Sequence, residues 1–478
     1  MDSVNRISQI ILENEMNIIR LSVKEKIAYG LGDMGCNFVW QTVMLFLAYF
    51  YTDIYGLSPA HMGTMFLLVR FIDAVTDPIM GSIVDRTKSK HGRYRPYLLW
   101  IAIPFGFACM LAFYTPDVGE TGKIFYAYAS YIFLTLMYTA INVPYCAMAN
   151  ALTNDSQERT SLQSYRFALS TAGGLVVAMV ALPLVDLIGE GDVQKGYLGA
   201  MAIMGAGAIA LFFYSFANVK ERFVAENEEQ SSVFSDLKLL FKNNQWRVLF
   251  ILNVLLLAGV VLKGASTMYY VNTVMGRADL ATTFMVAGMI ANIIGAIGSA
   301  PLLGRFEKAA VYKVLIIISG ILSAALYFVE PTSVYIIFML VIVLGIVQMS
   351  TTPILWSMMS DIVDYEKTRS NRSLSGMVFS TNLFAIKLGI ALGGASVGWI
   401  LAGAGYVGGA ETQSSAAITA INLLYTIIPG IIFVSLAVVI SFYKLDNKKL
   451  AQIKALLKLA KEKSSDEYEG ARVRGQSY

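Results

Sequence analysis

Leu67-Leu-Val-Arg-Phe-Ile-Asp-Ala-Val-Thr-Asp-Pro-Ile-Met-Gly81 is an apolar run that nonetheless carries Arg70, Asp73 and Asp77. Its length and flanks read as a membrane helix. On such a helix Asp73 and Asp77 point from one face about a turn apart, and Arg70 lies three residues before the first, so all three meet at one place. A single ionised Asp in the hydrocarbon centre costs roughly 2.5–3.5 kcal/mol even on the lenient insertion scale. Two carboxylates on one face therefore call for a partner cation or a bound proton, which makes the cluster a candidate ion-coupling site. The plainer alternative is a salt-bridge cluster that only holds helices together.

The rest of the chain agrees with a membrane setting. Of its 478 residues 56% are hydrophobic and 15% charged, far too apolar for a soluble protein of this size, so an all-α membrane protein is expected. Apolar segments separated by Gly, Pro, Asn or charged turns fall at 27–52, 58–84, 96–115, 123–150, 160–187, 196–218, 247–275, 279–303, 310–329, 333–361, 373–403 and 414–443, twelve transmembrane helices in all. The polar, acidic stretch around Glu226-Asn-Glu-Glu-Gln-Ser-Ser232 and the amphipathic Phe234, Leu237, Leu240 and Phe241 separate six from six. The expected organisation is an N-terminal extension over 1–21, disordered and without signal-peptide character, a six-helix bundle over 22–218 and a linker over 219–245. A second six-helix bundle follows over 246–443, then a basic amphipathic tail over 444–478; Met16 is an alternative start.

The net charge of +4 is spread over loops and the tail and forms no stripe, which argues against nucleic acid. It reports topology instead. Asp85-Arg-Thr-Lys-Ser-Lys-His-Gly-Arg-Tyr-Arg95 carries five basic residues and shares its side with Arg159, Arg305, Lys308, Lys313, Lys367, Arg369 and Arg372, whereas the opposite loops hold little beyond Lys123, Lys195 and Arg277. Both termini and the linker are then cytoplasmic, in a multi-pass protein of a bacterial inner membrane. Cys36, Cys109 and Cys146 lie in apolar segments without paired spacing and read as buried spacers.

The two halves echo each other. Asn142-Val-Pro-Tyr-Cys-Ala-Met148 and Thr352-Pro-Ile-Leu-Trp-Ser-Met358 recur after about 210 residues, as two-bundle transporters with a midplane site would leave in sequence. Pro144 and Pro353 are expected to loosen matching helices beside the cavity. An enzyme is disfavoured: there is no phosphate-cradling Gly-rich Lys motif and no His pair at metal-ligand spacing, only His61 and His91.

Lys26-Ile-Ala-Tyr-Gly-Leu-Gly-Asp33, Tyr49-Phe-Tyr-Thr-Asp53, Asp73-Ala-Val-Thr-Asp-Pro-Ile-Met-Gly81, Gly92-Arg-Tyr-Arg-Pro96 and Asp361-Ile-Val-Asp-Tyr365 resemble the glycoside–pentoside–hexuronide:cation symporters, the melibiose-carrier branch of the major facilitator superfamily. The likeness covers essentially the whole chain after residue 20. It implies the major facilitator fold and a sugar symporter driven by sodium or protons through alternating access. It places the cation site on Asp73 and Asp77 with Thr76 and Thr139 as neutral oxygen ligands, and coupling on Arg70 and on Lys387, which approaches from the C-terminal bundle. Arg166 matches the sugar-binding arginine, whose planar fork can donate to two hydroxyls at once. Asn37, Asn142 and Tyr138 complete the polar sugar contacts, and Trp40 and Trp356 are candidates for stacking on a sugar's apolar face.

Two departures bear on selectivity. Asn37 and Asn142 stand where the melibiose-type pattern has aspartates, and Cys146 replaces the helix-four aromatic; Thr76 stands where sodium-using members often carry Asn. Neutral groups in place of charged acceptors weaken each sugar hydrogen bond and relax the demand for particular hydroxyls. A site with Arg166 and no adjacent acid is also expected to tolerate an anionic sugar better than the melibiose-type site. A neutral pentoside, a xyloside or short xylose oligomer, is the favoured substrate. A hexuronide, or a lipid or drug on the same frame, is the alternative. The expected partners are the sugar and the lipid bilayer, with the chain acting as a monomer; no cofactor is expected beyond Na+ or H+ as coupling ion.

Overall fold

The computed structural model describes residues 20–153, 156–222, 233–298, 306–370, 375–453 and 455–456. The proposed extension up to residue 19, the acidic core of the linker at 226–232, Arg305, Arg372 and the tail lysines Lys454, Lys458, Lys461 and Lys463 lie outside them. Among the described residues nine helices are long and apolar enough to cross a membrane, from Glu120–Ala149 to Ser415–Ile440. The first three expected spans are helical too: Val23–Thr42 with its continuation, Pro59–Arg86, and the pair Arg95–Trp100 and Ala102–Ala112. Charged side chains or a break keep these three from reading as uniformly apolar. They are also where the candidate site begins.

Caps and prolines set the helix limits. Ser58 accepts the His61 N–H and Pro59 opens the second span. Three breaks share one cause. The third span breaks at Ile101, the tenth at Ser350 between Val334–Met349 and Thr351–Ser370, and the last at Thr426 between Ser415–Tyr425 and Ile427–Ile440. Each lies three residues before a proline (Pro104, Pro353 and Pro429) that has no N–H to give the carbonyl four residues back. Pro78, Pro144 and Pro183, by contrast, sit inside uninterrupted helices. The expected symmetry of Pro144 and Pro353 therefore does not hold in the backbone. At the last break a lysine supplies what Pro429 lacks, since Lys263 Nζ donates to the Tyr425 carbonyl at 3.1 Å and lies 3.6 Å from the Tyr425 ring centroid.

A second repeat was not visible in the sequence pattern. The first span ends in π-helical turns, the last of them Phe50–Ile54, and the seventh ends likewise over Tyr270–Val274. Tyr55 and Met275 N–H donate to the carbonyls of Phe50 and Tyr270, and Leu57 and Arg277 N–H to those of Tyr51 and Val271. Gly56 and Gly276, both at positive φ, turn the chain at matching places.

Cα packing divides the chain into two compact units, Met1–Glu228 with Thr267–Val286 and Ala395–Ile418, and Glu229–Ser266 with Ala287–Gly394 and Thr419–Tyr478. In the first, the two repeated ends meet: Thr52 Oγ1 lies 2.7 Å from Tyr269 Oη, and Tyr406 donates to Asp53 Oδ1 at 2.5 Å. The third and sixth spans approach through Gly106 and Gly205, where a Cβ would come within 2.8 and 2.6 Å of the facing carbonyl. Glu221, after the sixth span, accepts the N–H groups of Arg93, Tyr94 and Arg95 at 2.8, 2.8 and 2.6 Å. That clamp explains Gly92, whose φ is +104° and whose Cβ would lie 2.5 Å from the Glu221 carboxyl carbon. The second unit has its own core around Leu252, Tyr312, Met358 and Phe433, against which Leu445, Leu450 and Ile453 at the start of the tail also pack.

Candidate functional site

On Pro59–Arg86 the outward stripe is Phe71, Val75, Ile79 and Ile83, each at least half exposed, as befits side chains facing lipid. Asp73, two residues on from Phe71 and so near the opposite face, is 3% exposed. Arg70 Nη1 donates to Asp73 Oδ2 at 2.7 Å. Thr139, from the helix Glu120–Leu152, aims its hydroxyl between the carboxylates, 3.1 Å from Asp77 Oδ1 and 3.5 Å from Asp73 Oδ1. Thr76 gives its proton to the Ile72 carbonyl at 2.9 Å, which leaves its oxygen lone pairs as acceptors. The structure thus gathers Arg70, Asp73, Asp77 and Thr139 into one polar cluster, in which the two carboxylates and the Thr139 hydroxyl present hard oxygens and the Arg70 guanidinium balances the charge of Asp73.

The second cluster forms where spans one, four and five meet. Arg166 Nε lies 3.1 Å from Asp33 Oδ2, with side chains 17% and 7% exposed, and Arg166 Nη2 lies 3.4 Å from Oδ1. Cys146 Sγ accepts from Nη2 at 3.3 Å, and Gln163 Oε1 from Nη1 at 3.4 Å. Asn37 Nδ2 donates to the Asp33 carbonyl at 3.1 Å and to Ser170 Oγ at 2.5 Å, and Cys146 Sγ reaches Asn142 Oδ1 at 3.6 Å. Asn37, Asn142 and Arg166 therefore belong to one network.

Two expectations are corrected here. Arg166 does have an adjacent acid, Asp33, one helical turn before Asn37, because low dielectric favours a guanidinium with a counter-charge. Cys146 is part of the polar network and not a buried spacer, although Cys36 and Cys109 are buried. Asp33, Gln163 and Ser170 escaped the sequence reading. For Asp33 the signal was available, as a charge inside a predicted membrane span.

Aromatic side chains join the clusters. The Arg70 guanidinium lies 5.4 Å from the Trp40 ring centroid, and Trp40 lies 5.4 Å from Tyr138. Tyr138 also packs against Phe105 at 6.2 Å. Lys387 and Trp356 belong to the second unit, where Trp356 is 41% exposed. A separate cavity of about 950 Å³ in the first unit is lined by Tyr49, Asp53, Asp186, Asp192 and Asn272, and includes no residue of either cluster.

The model of the MFS/sugar transport protein family matches residues 28–447. The chain belongs to this family. Its members here include a candidate glycoside/cation symporter, YagG, of Escherichia coli (strain K12), 46% identical over 91% of this chain and 94% of the relative. The isoprimeverose transporter of Lactiplantibacillus pentosus is 31% identical over 88% of this chain and 89% of its own. The crystal structure of the nucleoside transporter NupG, at 16% identity, covers 88% of this chain and 99% of its own with a TM-score of 0.63, which supports the major facilitator fold alone. As a member of this family the chain is a multi-pass membrane transporter of the glycoside–pentoside–hexuronide:cation symporter type, not an enzyme.

Proposed function

We propose that this chain imports a neutral glycoside or pentoside, a xyloside or xylo-oligosaccharide by preference, together with Na+ or H+ by alternating access. The observation that carries the reading is the pairing of two polar clusters in one unit. Asp73, Asp77 and Thr139 offer oxygens to a cation, while Arg166, Asn37 and Asn142 offer donors and acceptors to hydroxyls, with Trp40 and Tyr138 between the two. Thr76 is a further cation ligand, Lys387 and Arg70 take part in coupling, and Trp356 stacks on the sugar. Relatives named as a candidate glycoside/cation symporter and as an isoprimeverose transporter support the substrate class. The excess of Lys and Arg on alternate loops supports cytoplasmic placement of both termini, and a relative named as an inner membrane symporter supports a bacterial inner membrane; the chain acts there as a monomer in this reading. The runner-up is a hexuronide, which Arg166 could hold through its carboxylate.

Uptake of labelled xylosides, galactosides and glucuronides into vesicles, with and without sodium at two external pH values, tests the reading. Xyloside accumulation that follows either the sodium gradient or external acidity is the expected result. Good uptake of melibiose with no uptake of xylosides overturns it.

A further inference from the structure

The ninth span, Lys308–Ala325, and the second half of the last, Ile427–Ile440, pack closely within the second unit. A Cβ added at Gly320 would lie 2.9 Å from the Gly430 carbonyl oxygen and 2.6 Å from a Val434 methyl group. Val434 is nonetheless 43% exposed, so it stands at the outer edge of the contact. An outward apolar stripe at helical spacing runs along each helix, Val314, Ile318 and Ile321 on the ninth span and Ile431, Val434 and Val438 on the last. The two stripes border one aliphatic seam.

The chemistry changes at the end of the seam that the excess of Lys and Arg marks as cytoplasmic. Lys313 Nζ donates to Ser441 Oγ at 2.9 Å, and Ser441 Oγ donates in turn to the Ala437 carbonyl at 2.8 Å. One N–H of Lys313 thus ties the helices together and two remain to be used. Phe442, 62% exposed, extends the stripe one turn beyond Val438, and Lys444, also exposed, follows it. The acids of these segments are engaged elsewhere: Asp361 pairs with Lys308 at 2.6 Å, and Asp446 accepts the Lys449 backbone N–H at 2.7 Å. Aliphatic surface, then an aromatic ring, then cations is the order met in crossing one leaflet from acyl chains to headgroups.

We propose that this seam binds one anionic phospholipid, with an acyl chain along Val434 and Val438 and the phosphate at Lys313 and Lys444. A phosphodiester brings a full negative charge and oxygens that accept from ammonium groups. Phosphatidylcholine brings the same phosphate together with a quaternary ammonium, which two lysines repel, so the surface selects for the net charge of the headgroup. Each basic residue at such a surface is worth about fivefold in affinity. The proposal is independent of which sugar is carried.

The test uses full-length protein purified in a neutral detergent and titrated with dioleoyl phosphatidylglycerol or dioleoyl phosphatidylcholine, with bound lipid counted by native mass spectrometry. The first phosphatidylglycerol should bind wild type about tenfold or more tightly than the first phosphatidylcholine. Lys313→Gln and Lys444→Gln should each weaken phosphatidylglycerol by about fivefold and leave phosphatidylcholine unchanged, while Lys313→Arg should match wild type. Lys444→Gln leaves the Lys313 bond to Ser441 in place, so it carries the test even where Lys313→Gln fails to accumulate. Lys88→Gln combined with Lys90→Gln, on the loop after the second span, should change nothing. Equal affinity for the two lipids in wild type, or undiminished phosphatidylglycerol binding by Lys444→Gln, overturns the proposal. An equal loss in the Lys88 and Lys90 variant also overturns it, by showing diffuse attraction to the whole basic face and no site at the seam.

Discussion

Asp73→Asn should injure the protein in two separable ways. Asp73 and Arg70 meet at 2.7 Å with side chains 5% and 10% exposed. Removing one charge of so buried a pair leaves the other uncompensated, which costs about 3–5 kcal/mol, whereas exchanging both partners for neutral groups is often close to neutral. Arg70 keeps its place 5.4 Å from the Trp40 centroid, and a desolvated cation over an aromatic face retains about 2 kcal/mol, so the lower end of the range is expected. Asp73→Asn combined with Arg70→Gln should then recover most of the stability. Coupling should not recover, because the charge that attracts the ion is missing from both variants. Thermal unfolding of purified protein reads the first effect, and gradient-driven accumulation against sugar exchange in vesicles reads the second. The expected order is wild type and double variant near each other with the single variant several degrees below, and accumulation lost in both variants while exchange survives. A single variant as stable as wild type would refute the buried-pair argument. Unimpaired accumulation by Asp73→Asn would reduce the carboxylates to a brace between helices.

Thr139→Val removes the hydroxyl between the carboxylates, worth about 0.5–1.5 kcal/mol, so the ion concentration for half-maximal uptake should rise by up to about tenfold, with Thr139→Ser close to wild type. Lys263→Met and Pro429→Ala should couple by about 1.5–3 kcal/mol in thermal unfolding, because alanine restores an N–H for the Tyr425 carbonyl and makes the lysine's donation redundant; additive effects would count against that account of the break. Ser89→Cys should react with a membrane-impermeant thiol reagent only from the cytoplasmic side and Gly119→Cys only from outside, and labelling of both from one side would overturn the twelve-span topology.

Helix existence was legible because burial in lipid demands long apolar runs, and the spans appear where hydropathy puts them. Helix interiors were not. The same residue type breaks the helix at Pro104, Pro353 and Pro429 and leaves it uninterrupted at Pro144, so a proline within a span does not by itself fix a break. The matching π-helical ends at Phe50–Ile54 and Tyr270–Val274 were hidden for a different reason. Side by side they share a turning glycine and a few residue types, Tyr49 with Tyr269, Phe50 with Tyr270 and Ile54 with Val274, but their likeness lies chiefly in hydrogen-bond register, which composition does not record.

The candidate site was legible to the extent that charge in hydrocarbon is expensive, which is why Asp73, Asp77 and Arg70 stood out. The same argument applies to Arg166. A guanidinium in a membrane span with both familiar acids replaced by Asn37 and Asn142 still needs a counter-charge, and the acid had to lie within reach on a neighbouring face. Asp33 satisfies that demand four residues before Asn37, on the same side of the helix. Carrying roles over position by position misses it, because Asp33 lies one turn before Asn37, the position to which the role was carried.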